Sequence, residues 1–431
     1  MLLVYTHKIS KRFTYTMKHI FTRILGIDVS FTTTVEDFIK HSGPKITYSK
    51  QPLQNEFFIR STELLFEQGI NDVIVKVEPW DDIPCFFEAG ERSNIPFDIF
   101  SASFYMLSRY EEYLPHVKDE LGRFPVKESL AYQHKFLQRP LVDLWAKKFL
   151  SVLKERFPDI VQKKKKYQFT SIVNVTTSHC FAYRGFVRTV GGILLDLSRF
   201  KLLRLIKRIV VWISPKKDPY DNFSYLMNVH KEIKCRTMFF FQFADYSKHD
   251  KNVSIFKNKF RYLIKSVADY SIVSLSASDS SSIENTILKQ EKTRLAELIN
   301  RPVNYSRMRY NRVNIPKTYQ DLVKTEFTDD YTMGYTHEIG FRAGTCTPFY
   351  FYDINLEVQQ PIKVHPFAVC DYSFLKYKKQ EQIFEQLDFM FRQVKEVQGN
   401  FNIVFSNELL GSSNRLQWLK LYKAVLKRYY V

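Results

Sequence analysis

From residue 167 onward the chain alternates short β-branched and aromatic runs with helical stretches, and this alternation narrows the fold more than any other feature. Strand candidates are 167–175, 236–244, 270–276, a segment near 305–312, 340–353, 362–371 and 401–407. Helix candidates are 258–269, 282–300, 317–326, 380–397 and 414–430. Seven strands interleaved with helices dictate a parallel sheet, open or closed as an incomplete barrel, because parallel neighbours need long crossover connections. Functional side chains in such sheets collect at the C-terminal ends of strands.

The region before residue 160 reads as smaller α/β. "MLLVY", "DVSFTT", "KITYS" and "NDVIVKVE" have the composition of strands. "SKRFTYTMKHIFTRILG" reads as a helix with Ser10 as N-cap and Gly26 as its stop. "FDIFSASFYMLSRYEEYL" and "RPLVDLWAKKFLSVLKERFP" are amphipathic helices. Four consecutive lysines in "DIVQKKKKYQFT" mark a linker. The expected division is 1–160 and 166–431, since 431 residues exceed one ordinary core.

An apolar fraction of 45% with 16% aromatics suits packed cores and argues against disorder. The formal charge of +19 invites an anionic neighbour, although solubility and a lysine-heavy genome are the favoured explanation. No RNP, KH or helix-turn-helix signature accompanies the charge, so no nucleic-acid partner is expected. The five cysteines are widely spaced with no CxxC, which fits neither a disulfide framework nor a zinc cluster. The first apolar run breaks after five residues, and no stretch approaches about 18 uncharged apolar residues. A cytoplasmic location is the default, with peripheral membrane attachment as its variant. Residues 201–213, "KLLRLIKRIVVWI", suit a basic interfacial helix on anionic lipid. They equally suit a helix packed on its own domain, and packing is the favoured reading.

The strand ends carry the candidate chemistry. "SIVNVTTSHCFAYRG" brings Asn174, Thr176, Thr177, Ser178 and His179 out of an apolar run. Later ends bring Ser276, Ser278, Asp279 and Ser280; then Arg307, Arg309 and Tyr310; then Asp330; then Ser406, Asn407 and Glu408. This set predicts a polar cleft with arginines, hydroxyls and few metal ligands. No two of the ten histidines share an HxxH or HxxxH spacing. His179 reads first as a hydrogen-bonded loop histidine, and Cys180 as a small buried residue. Arg342, inside an apolar run, needs a carboxylate, which Asp330 or Asp353 could supply. There is no GxSxG elbow, Walker A loop or GxGxxG turn.

Through "NVTTSHCFAYRG", "SRMRYNR", "DYTMGY" and "GFRAGTCTPFYFYD" the chain resembles the polysaccharide deacetylase family. The likeness is to a two-domain bacterial branch, whose N-terminal accessory domain is similar to the region holding "DIFSASFYMLSRYEEYL". The resemblance implies an irregular (β/α) barrel that removes N-acetyl groups from sugars with a divalent metal. It implies two aspartates, a base and a metal ligand, where Asn174 and Thr176 stand. It implies two ligand histidines four apart where Ser276 and Ser280 stand, and a general-acid histidine at Ser406. It leaves Arg307 and Arg342 as cleft-wall residues. An amide is not basic, and neutral hydroxyls are weak zinc ligands.

The expectation is a deacetylase-like protein of carbohydrate metabolism that lacks the metal reaction and holds no metal or other cofactor. Its barrel would follow the smaller α/β domain. The sugar-facing residues would be His179, Arg307, Tyr310, Asp330, Arg342, Asn407 and Glu408. One alternative is an active deacetylase holding zinc or another divalent metal on His179, Asp279, Asp330 and Glu408. Another is a non-catalytic membrane-surface partner in envelope glycan assembly.

Overall fold

The Ser10 side chain accepts the backbone N–H of Phe13, and a helix begins there. We describe residues 1–430 from a computed structural model. Leu2–Tyr5 (β1), Val29–Thr32 (β2), Lys45–Ser49 (β3) and Phe57–Arg60 (β4) form a parallel sheet in the order β2-β1-β3-β4. Glu78–Trp80 (β5) and Ile83–Cys85 (β6) make a small hairpin. Helices α1 (Lys11–Met17), α2 (Val35–Lys40), α3 (Ile99–Leu107), α4 (Leu130–Gln133) and α5 (Leu141–Arg156) accompany these strands. After α1 the helix continues in π form over Lys18–Ile24. It ends before Gly26, at φ +68°, where a Cβ would sit 2.3 Å from the Lys163 carbonyl oxygen. Glycine is required there by both conformation and space.

The second sheet has nine strands. Gln168–Val175 (β7) is almost wholly buried, as a covered parallel strand must be. Thr237–Phe241 (β8), Ile272–Ala277 (β9), Tyr305–Met308 (β10), Asp329–Asp330 (β11), Phe349–Asp353 (β12), Val358–Val364 (β13), Val369–Cys370 (β14) and Asn400–Ser406 (β15) complete it. The order is β12-β13-β11-β10-β9-β8-β7-β15-β14, parallel except where β12 turns back on β13. It is a curled, open α/β sheet of half-barrel form. Helices α6 (Phe186–Ser198), α7 (Leu202–Ile213), α8 (Phe223–Ile233), α9 (Asn258–Ala268), α10 (Asn285–Ile299), α11 (Lys317–Lys324), α12 (Gln380–Glu396), α13 (Asn407–Leu410) and α14 (Arg415–Tyr429) connect and cover it.

Two expected strands differ from the structure. Val73, Val75 and Val77 do turn toward the core, but the backbone of 71–77 lies along the surface with no ladder partner, and only β5 begins at Glu78. The run 340–353 is a strand only over β12. Its first part is a buried loop with Gly340 and Gly344 at positive φ.

That loop is where the two sheets meet, and charge holds them. Arg342 is buried and donates from Nε (2.9 Å) and Nη2 (2.7 Å) to the two carboxylate oxygens of Glu112. Its carboxylate therefore comes from the first region, and neither Asp330 nor Asp353 supplies it. Arg109 bonds Glu112 and Glu111 at 2.8 and 2.7 Å, and also reaches the Arg342 carbonyl. Asp143 on α5 accepts the Thr345 hydroxyl (2.7 Å), the Cys346 N–H (2.9 Å) and the Thr347 hydroxyl. Arg12 pairs with Glu357, which also takes the Gly69 N–H and the Tyr352 hydroxyl at 2.9 Å. Around this clasp one apolar cluster runs unbroken, from Phe13, Ile46 and Trp145 to Phe239, Phe349 and Val364.

Removing one partner of a buried ion pair leaves the other desolvated and alone, at a cost of about 3–5 kcal/mol. Arg342→Met is expected to lose that much stability in urea denaturation, whereas Lys147→Met, whose partner Glu396 lies in solvent, loses less than about 1 kcal/mol. A loss below about 1 kcal/mol for both would show that the clasp does not hold the two sheets.

Candidate functional site

The C-terminal ends of β7, β10, β14 and β15 converge because parallel strands point their ends one way. Ser406 sits beside Asn174 in the β15–β7 register. The cleft above them, about 270 Å³, is lined by Asn174, Thr176, Arg307, Arg309, Tyr310, Asn311, Cys370, Tyr372, Val404, Ser406 and Glu408. Thr336 and His337 form another wall. Leu121 and Arg123, from the first region, close one side. Arg123 is held there by Asp119 and donates to the Tyr310 carbonyl (3.0 Å) and the Thr336 hydroxyl (3.1 Å).

Arg307 is buried and has no carboxylate partner. It donates to the Tyr331 carbonyl and the Asn311 side chain, lies 4.7 Å over the Phe367 ring, and its Nε has no acceptor. Burial lowers its pKa to about 10. Glu408 accepts the Thr176 hydroxyl, and burial raises its pKa. Asp371, between the lining residues Cys370 and Tyr372, accepts the Ser406 N–H (2.6 Å) and hydroxyl (3.0 Å). Burial pushes its pKa up to about 7. The Asn174 Oδ1 has no donor. Arginine thus stands on several walls of the cleft, and burial displaces its nearby carboxyls toward the neutral form.

Of the residues singled out in the sequence, Asn174, Thr176, Arg307, Arg309, Tyr310, Ser406 and Glu408 meet in this cleft. The others stand elsewhere. His179 is buried, with Nδ1 3.1 Å from the Ser178 hydroxyl and its ring edge-on to Tyr183. Burial lowers its pKa, so the imidazole is neutral. Asp330 is consumed by the Thr332 N–H (2.9 Å), the Thr332 hydroxyl (2.6 Å) and the Ser306 hydroxyl (3.0 Å). Arg342 belongs to the clasp and is not a wall of this cleft. Asn407 donates to the Thr177 carbonyl at 3.1 Å and fixes the β7 loop. Ser276 is fully buried with an unpartnered hydroxyl. Ser280 is tied to Asp250, itself 3.6 Å from Arg309.

A zinc ion of the kind the resemblance implies does not fit these side chains. At the strand ends that would hold it stand an amide and three hydroxyls. His179, Asp330 and Glu408 have the partners given above, and Asp279 lies 3.0 Å from Arg312. Among the described residues, no three His, Cys, Asp or Glu side chains converge on one point. Asp371 was within reach of the sequence, as the last residue of the expected strand 362–371. Arg123 and His337 carry no such signal, since they arrive from loops with no periodic neighbour.

The carboxyl of Asp371 makes stability depend on pH. It holds its proton to about pH 7 in the folded chain, against an ordinary value of 3.8. The folded state therefore binds the proton more tightly than the unfolded state. This group's contribution is complete below about pH 4, declines as pH rises to about 7, and is then lost. Asp371→Asn is expected to gain in melting temperature relative to the parent between pH 5 and pH 8. A difference constant with pH would refute the assignment.

Residues 2–158 match a family of unknown function, DUF7033. No protein of curated function matches the chain. Among solved structures, one from Mycobacterium smegmatis described provisionally as a polysaccharide deacetylase is similar at 12% identity and TM-score 0.40. The match covers 62% of this chain and 87% of that one. A CE4 family pseudoenzyme from Bacillus anthracis is similar at 9% identity and TM-score 0.31, covering 61% of each chain. A polysaccharide deacetylase from Bacillus cereus is similar at 10% identity and TM-score 0.29, covering 61% of this chain and 89% of that one. Likenesses this low carry no weight for the chemistry, which rests on the side chains above.

Proposed function

We propose that the chain is a polysaccharide-deacetylase-like protein that binds a carbohydrate in the β7–β10–β15 cleft without the metal-dependent removal of acetyl groups. One observation carries this reading. The strand ends framing the cleft present Asn174, Thr176 and Ser406, an amide and two hydroxyls that neither take a proton from water nor bind zinc well. At the positions the resemblance assigns to them, both the base and the metal ligands are replaced, which removes that route to activated water. What remains suits a sugar. Tyr310 and Tyr372 offer rings, Asn174 offers an unpaired amide oxygen, and Arg309 offers charge. The cleft is also walled by Arg123 from the first region, so we propose that residues 1–160 act in ligand binding as an accessory unit to 166–431.

Binding and turnover test the proposal separately. Titration of the purified chain with N-acetylglucosamine oligomers is expected to show binding, weakened about tenfold by Tyr310→Ala, equivalent to ~1.4 kcal/mol. No acetate is expected with zinc added. Acetate release that Glu408→Gln abolishes would overturn the reading in favour of an active deacetylase.

The strand-end assignment has its own test. The variant Asn174→Asp/Ser276→His/Ser280→His is expected to gain zinc affinity in calorimetric titration, where the parent shows none. A folded variant that still ignores zinc would reject those three positions as the degenerate site.

A further inference from the structure

Helices α6 and α7 form a hairpin whose polarity is inverted. Its buried side chains are Thr189, Asp196, Arg208 and Val211. Asp196 and Arg208 pair at 2.8 Å between the helices. Gly192 makes room for this pair, because a Cβ there would lie 2.3 Å from Arg208 Nη1. The apolar residues face outward. Among the described residues, thirteen of the thirty-one large apolar side chains left exposed fall between 186 and 213. Val187, Phe200, Leu203 and Ile213 are each about four-fifths exposed or more, at 82%, 87%, 79% and 80%. Water does not select a helix pair that hides its ion pair and shows its leucines.

Charge identifies what covers this face. Between 186 and 217 the chain carries eight basic residues (Arg188, Arg199, Lys201, Arg204, Lys207, Arg208, Lys216, Lys217) and one acid, Asp196, a balance of +7. A second copy docking through the same face would bring +7 against +7 across a dry contact. An anionic bilayer surface offers the opposite charge and an apolar bed together. The helices have 13 and 12 residues, or about 20 and 18 Å at 1.5 Å per residue. A bilayer core needs about 30 Å, so neither spans it. No helix among the described residues is long and apolar enough to cross a membrane.

We infer that the α6–α7 hairpin is a membrane-docking element. It lies in the interface of an anionic bilayer, with Phe200, Leu203 and Trp212 among the acyl chains and Lys201 and Lys207 at the headgroups. The hairpin is rooted beside the cleft. Val211 packs on Phe181 and Ala182 of the loop leaving β7, and Arg208 lies 4.8 Å over the Phe181 ring. The expectation that residues 201–213 pack away on their own domain is thus answered by the exposure of most of that face.

Sedimentation of the full chain with vesicles tests this inference. Wild-type protein is expected to pellet with phosphatidylglycerol vesicles and to stay in solution with phosphatidylcholine vesicles. Lys201→Glu/Lys207→Glu is expected to lower partitioning at least about tenfold. Leu203→Glu/Trp212→Glu is expected to abolish it, with an unchanged melting temperature showing that the fold is intact. Equal recovery of wild type from both vesicle types would overturn the inference. So would a wild-type dimer that Leu203→Glu/Trp212→Glu dissociates while no vesicle is bound, which would assign the face to a second copy.

Discussion

Glu112 carries two guanidinium groups, those of Arg109 and Arg342, where almost no water reaches. None of the three charges could stay buried without the others. Arg109 itself adopts a left-handed backbone, φ +55°, unfavourable for a residue with a Cβ. Its bonds to Glu111, Glu112 and the Arg342 carbonyl hold it there. Such a network adds little net stability over an apolar one, because desolvation offsets most of the attraction. What it contributes is position. The guanidinium fork of Arg342 meets both oxygens of Glu112, which fixes the angle at which the first region meets the nine-stranded sheet.

That angle reaches the cleft. The chain leaves Glu112 through Tyr113, whose hydroxyl accepts the Ile354 N–H at 3.3 Å, and runs on to Leu121 and Arg123. The cleft wall is therefore built by a loop anchored only a few residues from the clasp. On the floor, Arg307 has amide and carbonyl acceptors where a carboxylate would satisfy it better, and Asn174 lines the same cleft with an unpaired oxygen. The cleft thus holds an unneutralised cation and orphaned polar atoms side by side.

Much of this fold could be read directly from residue pattern. Ser10 and Gly26 bound their helix by local chemistry, and the helix candidates 258–269 and 317–326 begin where α9 and α11 begin. Periodicity failed where tertiary partners decide. Residues 71–77 alternate like a strand but find no edge to join, and β11 is only two residues long, too short for any pattern. At the site, strand-end logic brought seven residues together, including Arg307 and Glu408. It gave Arg342 the wrong partner because a buried arginine announces that it needs a carboxylate but not which one. Glu112 lies 230 residues earlier, and no local rule connects them.

The clasp also sets when the protein can be finished. Arg12 pairs with Glu357, 345 residues further along, and Asp143 waits for residues 345–347. A nascent chain emerging from its N-terminus at about 5–20 residues per second exposes the first region many seconds before its partners exist. During that interval Glu112 has Arg109 but not Arg342, Arg12 lacks its carboxylate, Asp143 lacks its three donors, and the apolar surface destined for Phe349 and Val364 is open. The contact between the first region and the nine-stranded sheet can therefore close only after residues 342–364 have been made.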